Sequence, residues 1–321
     1  MSIIEKAVDR LDKKKTDNAA RAIPTAGTTA IEANPVTSTL QAEQIAKVEV
    51  EVQGRQPAQE PAFDRTATVA RRMEAATERL SAKRVEIDMA RLAANNMVTS
   101  DGGRNPVAEE FRAIKRPLIE NAFSRDGRTV NRNNLIMVTS ALPGEGKTFS
   151  TINLAISIAM ELDHTVLLID ADVARPSVLR TLGLKAQAGL MDVLLDPKLD
   201  VADVLLKTNI DTLSILPAGK SHRHATELLA SQTMSSLLDE IASRYPDRIV
   251  IFDSPPLLLT SEARVLASQM GQIVVVVEAE TTTMHAVKSA LSQLEACANV
   301  NLVYNKAKNF PGQENYGYYY G

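Results

Sequence analysis

The stretch Ser140-Ala-Leu-Pro-Gly-Glu-Gly-Lys-Thr-Phe149 carries the plainest chemistry in this chain of 321 residues. Small residues let backbone N–H groups curl around an anion, the following helix points its positive end at that anion, and Lys147 reaches β and γ phosphates. Thr148 supplies a hydroxyl for a magnesium ion. The general pattern is G-x-x-x-x-G-K-[ST], and Ala141 takes its first place as another small residue. Gly144, Glu145, Gly146, Lys147, Thr148 and Phe149 are therefore the candidate nucleotide-contacting residues.

Carboxylates are the second ingredient of such chemistry, because a magnesium ion between two phosphates takes oxygen ligands and an attacking hydroxyl needs a proton acceptor. Two apolar runs end in them: Leu167-Leu-Ile leads to Asp170-Ala-Asp172, and Ile249-Val-Ile-Phe leads to Asp253-Ser-Pro-Pro256. Asp253 is the candidate magnesium residue, while Asp170 and Asp172 divide metal ordering and base function. One aspartate at a strand end is commonly only a turn or helix cap. Three beside a Gly-Lys-Thr favour function. Asn305, after the last apolar run, is a candidate reader of an adenine edge, with a turn role as its alternative. His222 and His224 have no cysteine or carboxylate pattern to complete a metal site.

A third chemical feature closes the chain. Tyr316, Tyr318, Tyr319 and Tyr320 are four of its six tyrosines, and exposed phenols there are available nucleophiles. The alternative is a tail that packs on a partner.

These residues must be positioned by the segments between them. Asn134 to Thr139 reads as a buried strand, and Lys147 to Leu162 has helical spacing of Ile152, Ala155, Ile156 and Ala159. Further apolar runs begin at Thr165, Thr212, Arg248, Gln272 and Asn301. Their uninterrupted apolar character predicts strands covered on both faces, and with helices between them a mostly parallel three-layer α/β fold of the P-loop NTPase kind. In such sheets ligands gather at the carboxyl ends of the strands.

Upstream the composition changes. Ile3, Ile4, Ala7, Val8 and Leu11 share a helical face, which suits either a docking helix or a fraying end. The chain to residue 65 is otherwise poor in aromatic and large apolar residues, the signature of a disordered extension. Residues 66–100 read as a helical linker on the surface rather than in the core. We place the folded domain at 101–308 and the tyrosine-rich tail at 309–321. At its start Glu109, Arg112 and Lys115 recur every three residues, which predicts one charged helical face beside Phe111, Ile114 and Leu118.

Bulk properties exclude more than they assign. A net charge of −3 gives no global attraction to nucleic acid. A single cysteine, Cys297, excludes an internal disulfide and suits a reducing cytoplasm. No signal peptide or membrane span is expected.

Taken together, the phosphate loop, Asp170-Ala-Asp172, Asp253-Ser-Pro-Pro256 and the tyrosine tail resemble the bacterial tyrosine kinases (BY-kinases) that control exopolysaccharide and capsule export, in particular the exosortase-associated autokinases. The resemblance spans roughly residues 105–321. It implies ATP and Mg2+ as cofactors and autophosphorylation of Tyr316, Tyr318, Tyr319 and Tyr320 in trans within a homo-oligomeric ring. It also implies activation at the inner face of the membrane by a transmembrane polysaccharide copolymerase, and a cognate tyrosine phosphatase. Lys147 and Thr148 become the nucleotide and magnesium residues, Asp170 and Asp172 the Walker A′ acids, and Asp253 the Walker B acid. The family's ring-forming Glu-x-x-Arg-x-x-Arg pattern is met at Glu109 and Arg112, with Lys115 in place of the last arginine. Where the family carries an arginine two residues after the second aspartate, this chain has Ala174, followed by Arg175. Two other classes share the loop: positioning ATPases, which carry a lysine where Leu142 stands, and nucleotide-dependent scaffolds without transfer.

Overall fold

Strands made of β-branched and other large apolar residues with no polar alternation must be covered on both faces, and the computed structural model shows that arrangement. It describes residues 84–100, 106–123, 132–244 and 247–308. The expected N-terminal helix, the extension and the tyrosine tail lie outside the described residues.

Seven strands form one sheet: β1 (Leu135–Ser140), β2 (Thr165–Asp170), β3 (Leu206–Lys207), β4 (Leu213–Leu216), β5 (Arg248–Asp253), β6 (Gln272–Glu278) and β7 (Val300–Asn305). Their spatial order is β3-β4-β2-β5-β1-β6-β7. Every pairing is parallel except the short β3 with β4. β1 is buried along its whole length, as are β2 after its first residue and β5 after its first. β7 departs from the expectation of two covered faces. It is one of the two outer strands, and Leu302 and Tyr304 are exposed.

Ten helices of the described residues flank the sheet. They are α1 (Met89–Ala94), α2 (Pro106–Phe123), α3 (Lys147–Ala159), α4 (Val178–Thr181), α5 (Leu190–Leu195), α6 (Val201–Val204), α7 (Ala225–Leu229), α8 (Gln232–Arg244), α9 (Ser261–Ala267) and α10 (Met284–Ser292). One core cluster joins α1, α2 and α3 to one face of the sheet, and a second joins α5 and α7 to α10 to the other. From Ser150 to Ala159 every residue of α3 is buried, which explains why its sequence is apolar around most of its circumference.

The surface linker expected over 66–100 is corrected for its described part. Ile87, Leu92, Met97 and Val98 belong to the α3-side core. Val85 N donates to Lys207 O at 2.8 Å, Ile87 N to Asn209 Oδ1 at 2.9 Å, and Val98 N to Asn153 Oδ1 at 2.6 Å. The arginines and glutamates of this segment suggest a solvated surface, but they only flank the apolar residues that dock. The packed domain therefore reaches back at least to Arg84.

The charged face expected on α2 is divided. A step of three residues turns a helix by −60°, so Lys115 lies about 120° from Glu109, whereas Phe111, Lys115 and Leu118 follow the i, i+4, i+7 stripe. All three are buried. Lys115 Nζ donates to Ser157 O at 2.6 Å and pairs with Glu161 at 2.5 Å, both at the carboxyl end of α3. Glu109 and Arg112 are exposed and pair with each other.

Candidate functional site

The phosphate loop follows β1 because a parallel strand must leave the sheet at its carboxyl end, and two glycines make the turn. Gly144 has φ 87° and Gly146 φ 95°, a region open to glycine. Gly146 caps the start of α3, and a Cβ there would sit 2.0 Å from Asn305 Nδ2. Both position and conformation thus require glycine at 146.

β2 and β5 are paired in register with Asp170 opposite Asp253, so their carboxylates must stand side by side at the strand ends. Asp253 is fully buried. It accepts hydrogen bonds from Thr148 Oγ1 at 2.7 Å, Thr151 Oγ1 at 3.2 Å and Ser177 Oγ at 3.5 Å, and Lys147 Nζ lies 3.9 Å away. Lys147 is bound more closely by Asp172, at 2.7 Å. Asp172 also accepts from the backbone N–H of Arg175 at 3.1 Å, while Ala174 and Arg175 are exposed.

Asp170 combines the two roles open to a strand-end aspartate. Its Oδ2 accepts from the N–H groups of Ser177 and Val178, each at 3.0 Å, at the start of α4. Its Oδ1 is buried with no hydrogen-bond partner. Burial, reinforced by the neighbouring Asp253 charge, pushes the Asp170 carboxyl up to about 7 despite those two donors. Asp253 is also raised, first by burial; Lys147 and Thr148 oppose the shift. Two carboxylates, Asp172 and Asp253, thus meet a single lysine, and a third, Asp170, stands beside Asp253. An unpartnered carboxylate oxygen, two hydroxyls and surplus negative charge are the donor set a hard divalent cation takes. The residues fit magnesium.

Other expected residues are placed differently. The carboxylate of Glu145 is buried and turned away from a ligand: it accepts from Leu142 N at 2.6 Å and from the Thr282 hydroxyl. Phe149 turns its ring onto Phe111, with centroids 6.4 Å apart. Each can meet a phosphate only through its backbone N–H. Asn305 Nδ2 donates to Glu145 O at 2.8 Å, so Asn305 supports the loop. Next to it, Lys306 Nζ donates to Gly144 O at 2.7 Å and pairs with Glu278 at 3.0 Å. Ser177, Thr282 and Lys306 were not found from sequence. Ser177 carried a faint signal, seven residues after Asp170 in the same connection, whereas the other two meet the loop across more than 130 residues of chain. The tyrosines lie outside the described residues, and Glu109, Arg112 and Lys115 stand on α2, away from the loop's own contacts.

A glycine-turned loop between a buried strand and helix, with lysine, threonine and strand-end carboxylates converging on it, defines a P-loop nucleotide-binding domain. The sequence profile described as an AAA domain matches residues 133–306. The chain is 30% identical over 225 residues to the tyrosine-protein kinase YwqD of Bacillus subtilis, covering 70% of this chain and 91% of that protein. It is also 30% identical over 194 residues to the tyrosine-protein kinase Wzc of Salmonella typhimurium, covering 59% of this chain but only 26% of that one. Among solved structures, the kinase domain of the Escherichia coli tyrosine kinase ETK superposes with a TM-score of 0.55 at 27% identity, covering 67% of this chain and 84% of that domain. The chain belongs to the AAA-domain family and, within it, to the bacterial tyrosine-protein kinases.

Proposed function

We propose that the protein is an ATP-dependent tyrosine autokinase that phosphorylates Tyr316, Tyr318, Tyr319 and Tyr320 of a neighbouring copy in trans. The observation that carries this reading is the cluster in which Asp172 and Asp253 meet Lys147 and Thr148, with Asp170 beside Asp253. Lys147 is held by Asp172 at 2.7 Å. When Lys147 turns to the β and γ phosphates, the Asp172 carboxylate is freed to accept a proton. The tyrosine O–H then gives its proton to Asp172, its oxygen bonds to the γ phosphorus, and the bond to the β-phosphate oxygen breaks to release ADP. Thr148, Asp253 and Asp170 would hold magnesium, which supplies charge neutralisation for the phosphates. Glu145, Asn305 and Lys306 keep the loop in shape for the transfer.

The wider role follows from the resemblance of the motifs to the bacterial tyrosine kinases of exopolysaccharide export. The protein acts in exopolysaccharide polymerisation and export, at the inner face of the membrane, through a transmembrane copolymerase partner, and a cognate phosphatase reverses the reaction. No helix among the described residues is long and apolar enough to cross a membrane, which suits attachment through a partner. Glu109 and Arg112 on the exposed side of α2 serve a ring contact, and Lys115 serves it only indirectly by fixing α2 on α3. Mixing a chain that ends at Lys308 with a full-length Lys147→Ala chain, ATP and magnesium tests the reading. Phosphotyrosine on the Lys147→Ala chain is expected; its absence, with ATP bound, contradicts transfer in trans.

A further inference from the structure

The two outer strands of the sheet end differently. β3 is two residues long, and the segment before α1 closes its edge: Arg84 bridges to Lys207, and Val85 N donates to Lys207 O at 2.8 Å. β7 is six residues long, and no described residue pairs with its outer side. Asn299 O and Asn305 O accept from Ile273 N and Ala279 N at 2.8 and 2.9 Å, so the odd-numbered backbone groups turn to β6. The N–H and C=O groups of Val300, Leu302 and Tyr304 therefore face the open edge. Val300 packs in the core under α10 and Val303 in the α3-side core, which puts the side chains of Leu302 and Tyr304 on the α10 side of the sheet. They are 43% and 67% exposed. Residues 300–305 include no charge and no proline, the usual guards against the addition of a further strand.

We infer that this edge receives residues 313–320 of the same chain as an antiparallel strand, with Tyr316 against Leu302 and Tyr304 and Tyr318 against Val300. Where the tail begins, and what it is made of, select this occupant. Lys306 has φ 61°, which turns the chain out of β7, and its Nζ is held by Gly144 O at 2.7 Å. Pro311-Gly312 is a turn-forming pair a few residues on, so 306–312 closes a hairpin that sets Leu302 opposite Tyr316. Tyr316, Tyr318 and Tyr320 alternate, so in an extended strand their rings share one face, and a ring reaches the diagonal neighbour across the pair as well as the residue opposite. Residues 315–321 carry no charge, tyrosine is a good strand former, and eight extended residues, about 27 Å, outlast β7. The docked strand runs away from the sheet edge that bears the phosphate loop, so it withholds the tyrosines from a neighbouring copy. A phosphate adds nearly two negative charges beside Leu302 and releases the strand. This consequence rests on the kinase reading; the docking does not.

The test is residue-resolved amide hydrogen exchange on the full chain after phosphatase treatment, beside two full-length variants, Tyr316→Pro with Tyr318→Pro, and Tyr319→Ser. The Leu302 and Tyr304 amides should exchange about tenfold more slowly in the parent than in the double proline variant, whose tail cannot donate to an edge. Val303 and Asn305, whose N–H groups turn to β6, should keep one rate in all three proteins. Tyr319→Ser, on the opposite face of the added strand, should keep the parent's protection. Equal Leu302 and Tyr304 rates in the parent and the proline variant overturn the proposal, and so does protection that weakens on dilution, which assigns the strand to a second copy. Loss of protection in Tyr319→Ser as large as in the proline variant overturns the assignment of faces. After incubation with ATP and magnesium the phosphorylated tail should lose its protection; a phosphorylated tail that stays protected overturns the release. Protection with no phosphate on the tail after the same incubation upholds the docking and sinks the kinase reading instead.

Discussion

The two ends of α3 each bury a lysine among carboxylates, and they do opposite things. At the carboxyl end Lys115 finds the Ser157 carbonyl and Glu161, where the helix dipole also favours a cation, and it holds the Glu161 carboxyl below the usual carboxylate range. At the amino end Lys147 meets Asp172 and Asp253, with Asp170 beside Asp253; burial pushes the Asp170 and Asp253 carboxyls up, and one Asp170 oxygen has no partner. Charge is matched at one end and in surplus at the other. A matched pair, half exposed at Glu161, holds α2 onto α3; a surplus of buried carboxylate is what a cation-binding site requires.

Removing each lysine should separate the two ends most sharply. Lys147→Ala is expected to lower tail phosphorylation by about 10²-fold or more, since it removes the cation that meets the transferring phosphate. Because buried Asp172 and Asp253 lose their cation, its thermal midpoint should fall as well. Lys115→Ala should instead leave ATP affinity nearly unchanged while destabilising the fold by about 1–2 kcal/mol, because the Ser157 carbonyl and half-exposed Glu161 lose their partner. Calorimetry and an ATP-binding titration on both variants check this. Loss of ATP affinity in Lys115→Ala comparable with that in Lys147→Ala would dissolve the contrast.

The mismatch also has a pH signature. The Asp170 carboxyl is held near 7 in the folded state against an ordinary 3.8, so the folded protein binds this proton more tightly than the unfolded chain. The stability it contributes is complete below about pH 4 and is lost as pH rises to about 7, a difference of about 4 kcal/mol. Asp170→Asn keeps an acceptor for Ser177 and Val178 without the charge. In nucleotide-free protein its stability gain over the parent should grow from pH 4 to 7 and level off above that. A gain independent of pH between 5 and 8 would contradict the assignment of the unpartnered charge to Asp170.

The smallest effects belong to the supports of the loop. Thr282→Val removes the hydrogen bond to Glu145, and Lys306→Met the one to the Gly144 carbonyl together with a partly exposed pair to Glu278 of little worth; each should weaken ATP binding about fivefold, the equivalent of about 1 kcal/mol. The maximal transfer rate should persist, because neither residue meets the reacting atoms. A fall in rate at saturating ATP would instead place them in the chemistry.

Legibility in the sequence followed distance along the chain. The loop, the buried strands and the strand-end aspartates were readable because each is announced by residues within a few positions: Gly146-Lys147-Thr148 after β1, or Asp253 after four apolar residues of β5. The clamp on the loop was not, since Thr282 and Lys306 become its neighbours only once β6 and β7 take their places beside β1. Strand order likewise decides that β7 is an edge, and a two-residue β3 is too short for any periodicity to register. Lys115 is the instructive misreading. Its charge grouped it with Glu109 and Arg112, while its spacing from Phe111 and Leu118 already placed it on the buried stripe. Segment 84–98 fails for a similar reason, because exposed arginines conceal which apolar residues dock.

The central claim is that the mismatched end of α3 sends its phosphate to tyrosine rather than to water. Mass spectrometry of the peptide 309–321, after incubation of the full chain with ATP and magnesium, tests this most directly. The account predicts phosphate on at least one of Tyr316, Tyr318, Tyr319 and Tyr320, and none in Lys147→Ala. ADP release with an unmodified tail would contradict it.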